Sequence, residues 1–261
     1  MNFIDHPDYA AAVRLCERLA DTARGIARQH FRASLEVEKK ADGSPVTVAD
    51  RGIEDEWRRM IRREFPAHAI RGEEFGAEGE GEFTWFLDPI DGTKSFVSGF
   101  PLFGSLIALR YAGRPVLGVI EAPALEERWF GSDGAPSTLN GRVIRTSACR
   151  RLAEATVYST SAELFDPGDR RRFEAVSAGA ALRRFGGDCY QYGMLAAGYC
   201  DLVIESRLKA HDFLALIPVI EGAGGRISDW QGAALGPGSD GRVIAAATEE
   251  LWREACQGLC A

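Results

Sequence analysis

Two carboxylates stand three residues apart in an otherwise apolar run, Trp85-Phe86-Leu87-Asp88-Pro89-Ile90-Asp91-Gly92-Thr93. The run reads as a buried strand over Phe83–Leu87, and Pro89, which cannot donate to a sheet ladder, is expected to help end it there. Gly92 permits a tight backbone, and Thr93-Lys94-Ser95-Phe96 can open a helix. This layout gathers two anionic oxygen ligands and several backbone N–H groups at one place. Carboxylates collect hard cations, and N–H groups at a helix start collect phosphate oxygens. A bare Asp-x-x-Asp is ordinary turn chemistry, but the full string is far more specific. It points to a site for a metal ion and a phosphate group.

Three further acidic positions can join the pair. Glu73 lies in Arg71-Gly72-Glu73-Glu74, Asp50 follows Pro45-Val46-Thr47-Val48-Ala49, and Asp212 sits in His211-Asp212-Phe213. Singly, Asp50 and Asp212 would read as helix caps and Glu74 as solvated surface. Jointly they form an oxygen-only ligand set, which favours Mg²⁺ over Zn²⁺. The six cysteines (16, 149, 189, 200, 256, 260) form no Cys-x-x-Cys pair, and the histidines (6, 30, 68, 211) do not cluster with them. Scattered reduced thiols in a cytoplasmic protein are the better reading than a zinc site. No Ser or Cys is poised as a nucleophile, so direct attack by water is expected.

The 261 residues are 46% hydrophobic and 26% charged, ordinary for a globular chain, and they carry a net charge of −7. A general nucleic-acid surface would need a basic face. A small phosphate ester is still compatible, because bound cations attract it locally. There is no apolar run of about 18 residues, so no membrane span is expected. Met1–Tyr9 lacks the basic-then-apolar layout of a secretory signal.

The elements that must position these residues follow from periodicity. Helices are predicted over about 8–31, with Val13, Cys16, Ala20, Ala23 and Ala27 on one face, and over 49–65, with Ile53, Trp57, Met60 and Ile61 together. Thr47 or Asp50 would cap the second. Residues 38–45 and 72–82 read as loops. Strands are expected at 105–110, 116–121, 128–131, 157–161 and 182–185. The later part alternates: helix 190–197, strand 201–205, helix 212–222, strands 226–229 and 243–246, and a last helix from 249. The expectation is an α/β protein of one domain over 1–261. Its α+β half (1–148) carries the metal motifs, and its α/β half (149–261) recognises substrate across a cleft.

At these residues the chain resembles the inositol monophosphatase superfamily of magnesium-dependent, lithium-sensitive phosphatases. The resemblance runs through Val46–Asp50, Gly72-Glu73-Glu74, Trp85–Thr93, Leu139-Asn140-Gly141 with Thr146-Ser147, and His211-Asp212-Phe213 on to Glu221–Gly225. It implies a layered αβαβα sandwich of the inositol monophosphatase and fructose-1,6-bisphosphatase type, with two or three Mg²⁺ ions per site and a homodimer. By similarity, Glu73, Asp88 and the Ile90 carbonyl would hold one ion, and Asp88, Asp91 and Asp212 a second. Glu73 would help hold a labile third near Asp50. Thr93 and Asp50 would orient or deprotonate the water, with Glu73 among the catalytic groups. The N–H groups of Gly92 and Thr93 would take the phosphate, and Lys40 matches a mobile-loop lysine. One departure is His211, where the family often has Trp.

Within the superfamily the chain is most similar to the histidinol-phosphate phosphatase branch. The cues include Ser95–Gly99, Gly104–Leu109, Gly186-Gly187-Asp188-Cys189-Tyr190, Asp201–Glu205 and Asp212–Pro218. An extra carboxylate at Asp188 beside Glu205 would favour a cationic alcohol such as histidinol. Asp188 could also cap the helix at Tyr190. The alternatives are an inositol-1-monophosphatase, a 3'(2'),5'-bisphosphate nucleotidase and, in a different class, a non-catalytic metal- or phosphate-binding module.

Overall fold

A computed structural model describes residues 3–33, 37–39 and 45–260. Lys40, the expected loop lysine, lies outside them. The first layer is a pair of helices, α1 (Tyr9–His30) and α2 (Val48–Glu64). α1 buries Leu15, Cys16 and Leu19 together with Ala12, Ala20, Ala23 and Ala27, whose short side chains admit close neighbours. The indole Nε1–H of Trp57 on α2 donates to the Leu19 carbonyl at 2.7 Å, tying the two helices together. α2 opens in a capping box: Thr47 is the cap, and the Asp50 carboxylate accepts its N–H at 2.8 Å. A short antiparallel pair, β1 (Val37–Lys39) and β2 (Pro45–Thr47), leads into α2, so the ends of the expected 38–45 loop are extended.

Beneath these helices lies an eight-stranded sheet of β3 (Ala69–Gly72), β4 (Gly76–Glu78), β5 (Phe83–Asp91), β6 (Gly104–Tyr111), β7 (Arg114–Ala122), β8 (Glu127–Ser132), β9 (Ala135–Leu139) and β10 (Arg142–Val143). Its order is β10-β9-β8-β7-β6-β5-β3-β4. A one-turn helix, α3 (Thr93–Val97), follows β5. The second sheet holds β11 (Thr156–Ser159), β12 (Leu182–Phe185), β13 (Leu202–Glu205), β14 (Arg226–Ser228) and β15 (Val243–Ala246), in the order β12-β11-β13-β15-β14. Between the sheets pack α5 (Cys189–Ala196), α6 (Ala210–Phe213) and α7 (Leu216–Gly222); α4 (Pro167–Ser177) and α8 (Glu249–Cys260) cover the outer face. Three apolar clusters fill the space between these layers, the central one reaching from the first sheet through the middle helices to the second sheet, so the layers run αβαβα.

Several elements differ from the sequence expectation for local reasons. β5 does not end at Leu87 but runs through Pro89 to Asp91. Its register against β6 shifts between Asp88 and Asp91, a bulge that accommodates a residue with no N–H to give. The Pro89 carbonyl is taken by the Ser105 hydroxyl at 2.6 Å. The expected helix 212–222 is two short helices, α6 and α7. The expected 72–82 loop contains β4. Neither α4 nor β9 and β10 was anticipated, although Asp166-Pro167 is a start signal: Asp166 accepts the N–H of Gly168 and Asp169, and Pro167 stands in the first turn. Among the described residues no helix is long and apolar enough to cross a membrane.

The first layer is bolted to the sheet by Glu121 of β7, which is fully buried. Its carboxylate accepts Nε and Nη2 of Arg24 on α1 at 2.6 and 3.1 Å, and Nε of Arg128 on β8 at 2.6 Å. Removing it leaves two guanidinium groups without their shared anion. Because both arginines reach solvent, Glu121→Ala is expected to cost about 2 kcal/mol, below the range for a fully buried pair. Urea denaturation reads this directly, and an unchanged midpoint would contradict the bolt.

Candidate active site

The end of β5 delivers the central carboxylates. Asp88 is buried at the last regular position before the bulge, and Asp91 stands just beyond it. Gly92 then takes φ 78°, ψ 39°, a left-handed turn open to glycine. It must also lack a side chain, since a Cβ there would lie 2.8 Å from Asp188 Oδ2. The turn starts α3, where the Thr93 hydroxyl donates to the Ile90 carbonyl at 3.0 Å. Asp212 arrives from α6, with Oδ2 accepting the Lys209 N–H at 2.7 Å. One oxygen from each of Asp88, Asp91 and Asp212 lies within 4.8 Å of the others.

Glu73 joins from the end of β3, where its N–H donates to Leu87 O at 3.1 Å and its carboxyl hydrogen-bonds Asp88. Asp50 enters from the first turn of α2. Burial, followed by the charges of Glu73, Asp91 and Asp212, pushes Asp88 well above the usual carboxylate range. Burial, then Asp188 and Asp212, does the same to Asp91. Burial raises Asp212, against the pull of His211, and burial raises Asp50, against its hydrogen bonds to Thr47.

The donor chemistry of the cluster suits a metal ion. Asp88 Oδ1 and Asp50 Oδ1 are buried and make no hydrogen bond. A buried carboxylate oxygen without a partner is costly unless a proton or a cation completes it. All the donors are hard oxygens, from four separate elements, so the residues fit a divalent cation of the Mg²⁺ type.

Above this cluster opens a cleft of about 450 Å³ lined by Asp91, Gly92, Thr93, Asp188, Glu205 and Asp212 among others. Asp88 lies beneath its floor. Asp188 occupies the cap position of α5 with φ 44° and ψ −134°, an unfavourable conformation for a side-chain-bearing residue. It makes no capping bond; instead its Oδ2 accepts the Ser95 hydroxyl at 3.0 Å. The helix-cap expectation for Asp188 is therefore overturned. Its strained turn aims the next N–H, that of Cys189, at Asp91 Oδ2 (2.5 Å). Burial raises Asp188, opposed by the Ser95 bond and by Lys94. Glu205 ends β13 with Oε1 on the Thr160 N–H and Oε2 on the Tyr192 hydroxyl, both at 2.9 Å. Its burial outweighs those bonds and pushes it up to about 7.

Sequence reasoning missed several cleft residues. Thr160, Ser161 and Glu163 arrive on the segment after β11, and Arg207 and Lys209 on the segment after β13. None carried a spacing signal, because their placement depends on strand order in the second sheet. His211 is not among the residues lining the cleft; its Nε2 lies 3.3 Å from Asp212 Oδ1.

The family model for the inositol monophosphatase family matches residues 7–260. The chain belongs to that family. It is thus a phosphatase, from a metal-dependent family in which Mg²⁺ is the usual ion. It is 43% identical to the bifunctional phosphatase IMPL2, chloroplastic, of Arabidopsis thaliana, over 92% of this chain and 72% of that one. It is 36% identical to a histidinol-phosphatase of Mycobacterium tuberculosis, over 88% and 90% of the two chains. A solved inositol monophosphatase of Zymomonas mobilis superposes with a TM-score of 0.90 at 44% identity, over 97% of this chain and 99% of that one.

The raised carboxylates set a pH dependence. Groups whose folded pKa lies above the unfolded one stabilise the fold below the unfolded value, near 3.8 for Asp, and lose that contribution as pH rises. In a chelator, the charged cluster should therefore weaken the fold progressively above that pH. Added Mg²⁺ should relieve it, so the gain in Tm on adding Mg²⁺ should grow with rising pH. Thermal melts across pH, with and without Mg²⁺, test this; a gain independent of pH would contradict it.

Proposed function

We propose that this phosphatase hydrolyses L-histidinol phosphate to L-histidinol and phosphate, with Mg²⁺ held by the carboxylate cluster. Glu73, Asp88 and the Ile90 carbonyl would hold one ion, Asp88, Asp91 and Asp212 a second, and Glu73 near Asp50 would help hold a third. Such ions supply positive charge to the phosphate and make a water acidic enough to attack it. The chain's own groups do the rest. The Thr93 hydroxyl orients the attacking water, and the Asp50 carboxylate receives its proton. The N–H groups of Gly92 and Thr93 take phosphate oxygens. The water oxygen bonds to phosphorus as the P–O bond to the alcohol breaks, and the departing alkoxide takes up a proton.

The observation that carries the substrate reading is the pair Asp188 and Glu205, which line the same cleft as Asp91 and Thr93. The alcohol half of the substrate must lie in that cleft, and two carboxylates there suit a cationic alcohol. Histidinol offers an ammonium and an imidazole. Exposed Glu163 adds a third carboxylate at the rim. Binding of a cation would also favour the ionised form of Glu205, which its burial opposes. A second reading, inositol 1-phosphate, draws support from the likeness to the Zymomonas mobilis inositol monophosphatase.

A panel of phosphate monoesters with Mg²⁺ separates the two. Histidinol phosphate is expected to give the higher kcat/KM; a large advantage for inositol 1-phosphate would overturn the assignment. Asp188→Ala should lower kcat/KM on histidinol phosphate about tenfold or more, the scale of one partly buried charge contact. The same change should affect a neutral ester less, and equal losses would remove Asp188 from substrate recognition.

We further read the chain as one phosphatase domain that works as a homodimer. The central apolar cluster joins residues of both halves, Phe86 and Leu106 with Tyr192 and Leu216 among them, which supports one domain. β12 is the edge of the second sheet, Leu182 and Phe185 on it are exposed, and exposed Phe100 lines a pocket with Phe185. Exposed apolar edges of this kind are usually covered in an assembly. Light scattering at micromolar concentration tests this, and a monomer mass would refute it. Six unpaired cysteines support a reducing compartment such as the cytoplasm.

A further inference from the structure

We infer that Glu54, neutralised by Arg58, is a positioning residue that sets the place of Glu73 and thereby the affinity of the site for Mg²⁺; this rests on the metal reading above. Glu54 lies one helical turn after Asp50 on the same face of α2 and is fully buried. It does not touch the cleft. Its Oε2 accepts the N–H of Glu74 at 2.7 Å, and its Oε1 accepts the N–H of Phe75 at 3.2 Å. These are the two N–H groups directly after Glu73. Successive N–H groups converging on one point form an anion nest, and a side chain from α2 fills it.

The fit extends to the residue before Glu73. A Cβ on Gly72 would lie 1.9 Å from Glu54 Oε1, so the carboxylate occupies the volume a side chain would need. Arg58, one turn further along α2 and 4% exposed, completes the clamp. Its Nε donates to Glu54 Oε1 at 2.8 Å, Nη2 to Gly76 O at 2.5 Å and Nη1 to Glu78 Oε2 at 3.0 Å. Two side chains of α2 therefore hold Gly72, Glu74, Phe75, Gly76 and Glu78, on both sides of Glu73.

Electrostatics gives the clamp its purpose. Glu73, Asp88 and Asp50 repel one another when charged. Without a tether, the turn carrying Glu73 would relax away from Asp88, and bound Mg²⁺ would have to draw it back. The Glu54 charge would itself add to the repulsion, but the Arg58 guanidinium cancels it locally. Asp50 and Glu54 share one rigid helix, so the clamp also fixes the separation between Asp50 and Glu73.

The test is Glu54→Gln in the full-length protein. The amide keeps the shape, but its NH₂ faces an N–H and one contact of the nest is lost. The Mg²⁺ dissociation constant, measured by titration calorimetry without any ester, should rise about tenfold, the scale seen when groups that orient metal ligands are removed. The Mg²⁺ concentration for half-maximal hydrolysis of p-nitrophenyl phosphate should rise in parallel, while kcat at saturating Mg²⁺ stays close to wild type. Arg58→Lys, which keeps a charge but loses the fork to Gly76 and Glu78, should shift the same readouts in the same direction and serves if the Gln variant does not fold. Ile61→Val, buried on α2 away from the site, should lower Tm without changing Mg²⁺ affinity. Equal Mg²⁺ affinity in wild type, Glu54→Gln and Arg58→Lys would overturn the positioning role, as would equal weakening in Ile61→Val. A wild-type protein that binds no Mg²⁺ would instead overturn the metal reading itself.

Discussion

Buried carboxylates that face one another cannot all be charged without a counter-ion, and this constraint organises the molecule. Asp50, Glu73, Asp88, Asp91 and Asp212 come from α2, β3, β5 and α6, elements with no reason to meet except through the tertiary fold. Burial and repulsion raise the pKa values of Asp50, Asp88, Asp91 and Asp212, and Oδ1 of Asp50 and of Asp88 is left without a hydrogen-bond partner. That arrangement costs folding energy. It persists because large apolar interfaces above and below the eight-stranded sheet lock the contributing elements in place.

The same architecture divides the site into two unequal parts. The floor comes from α2, β3, β5 and α6 and, in the proposed reading, would handle cations, phosphate and water. The walls come from the segments after β11 and β13 and from the N-terminal end of α5, and in that reading they would meet the alcohol. The two are joined at one point, where the Cys189 N–H reaches Asp91 and Asp188 lies against Gly92.

Much of the floor was legible in the sequence. Asp88, Asp91, Gly92 and Thr93 are contiguous, and their chemistry follows from residue types within a few positions of one another. The long helices α1 and α2 and most strands of the first sheet also announce themselves through periodicity. The errors fall where a neighbouring element overrides the local signal. Pro89 reads as a strand terminator, yet β5 passes through it, because the bulge opposite Ser105 gives its carbonyl a partner. The alternative reading of Asp188 as a helix cap fails in the same way, because its carboxylate takes the Ser95 hydroxyl and lies against Gly92 instead of capping α5.

By itself, then, the amino-acid sequence determined the donor types and the main helices and strands, which depend on side-chain chemistry and short-range periodicity, while the family and the layered fold followed from the resemblance its motifs carry. Only the tertiary structure decided that Asp188 and Glu205 share a cleft, that Tyr192 and Thr160 hold Glu205, and that Glu54 and Arg58 clamp the turn around Glu73. Those contacts join residues whose separation along the chain carries no signal. They exist because strand order and helix packing bring distant backbone N–H groups and carboxylates within hydrogen-bonding range.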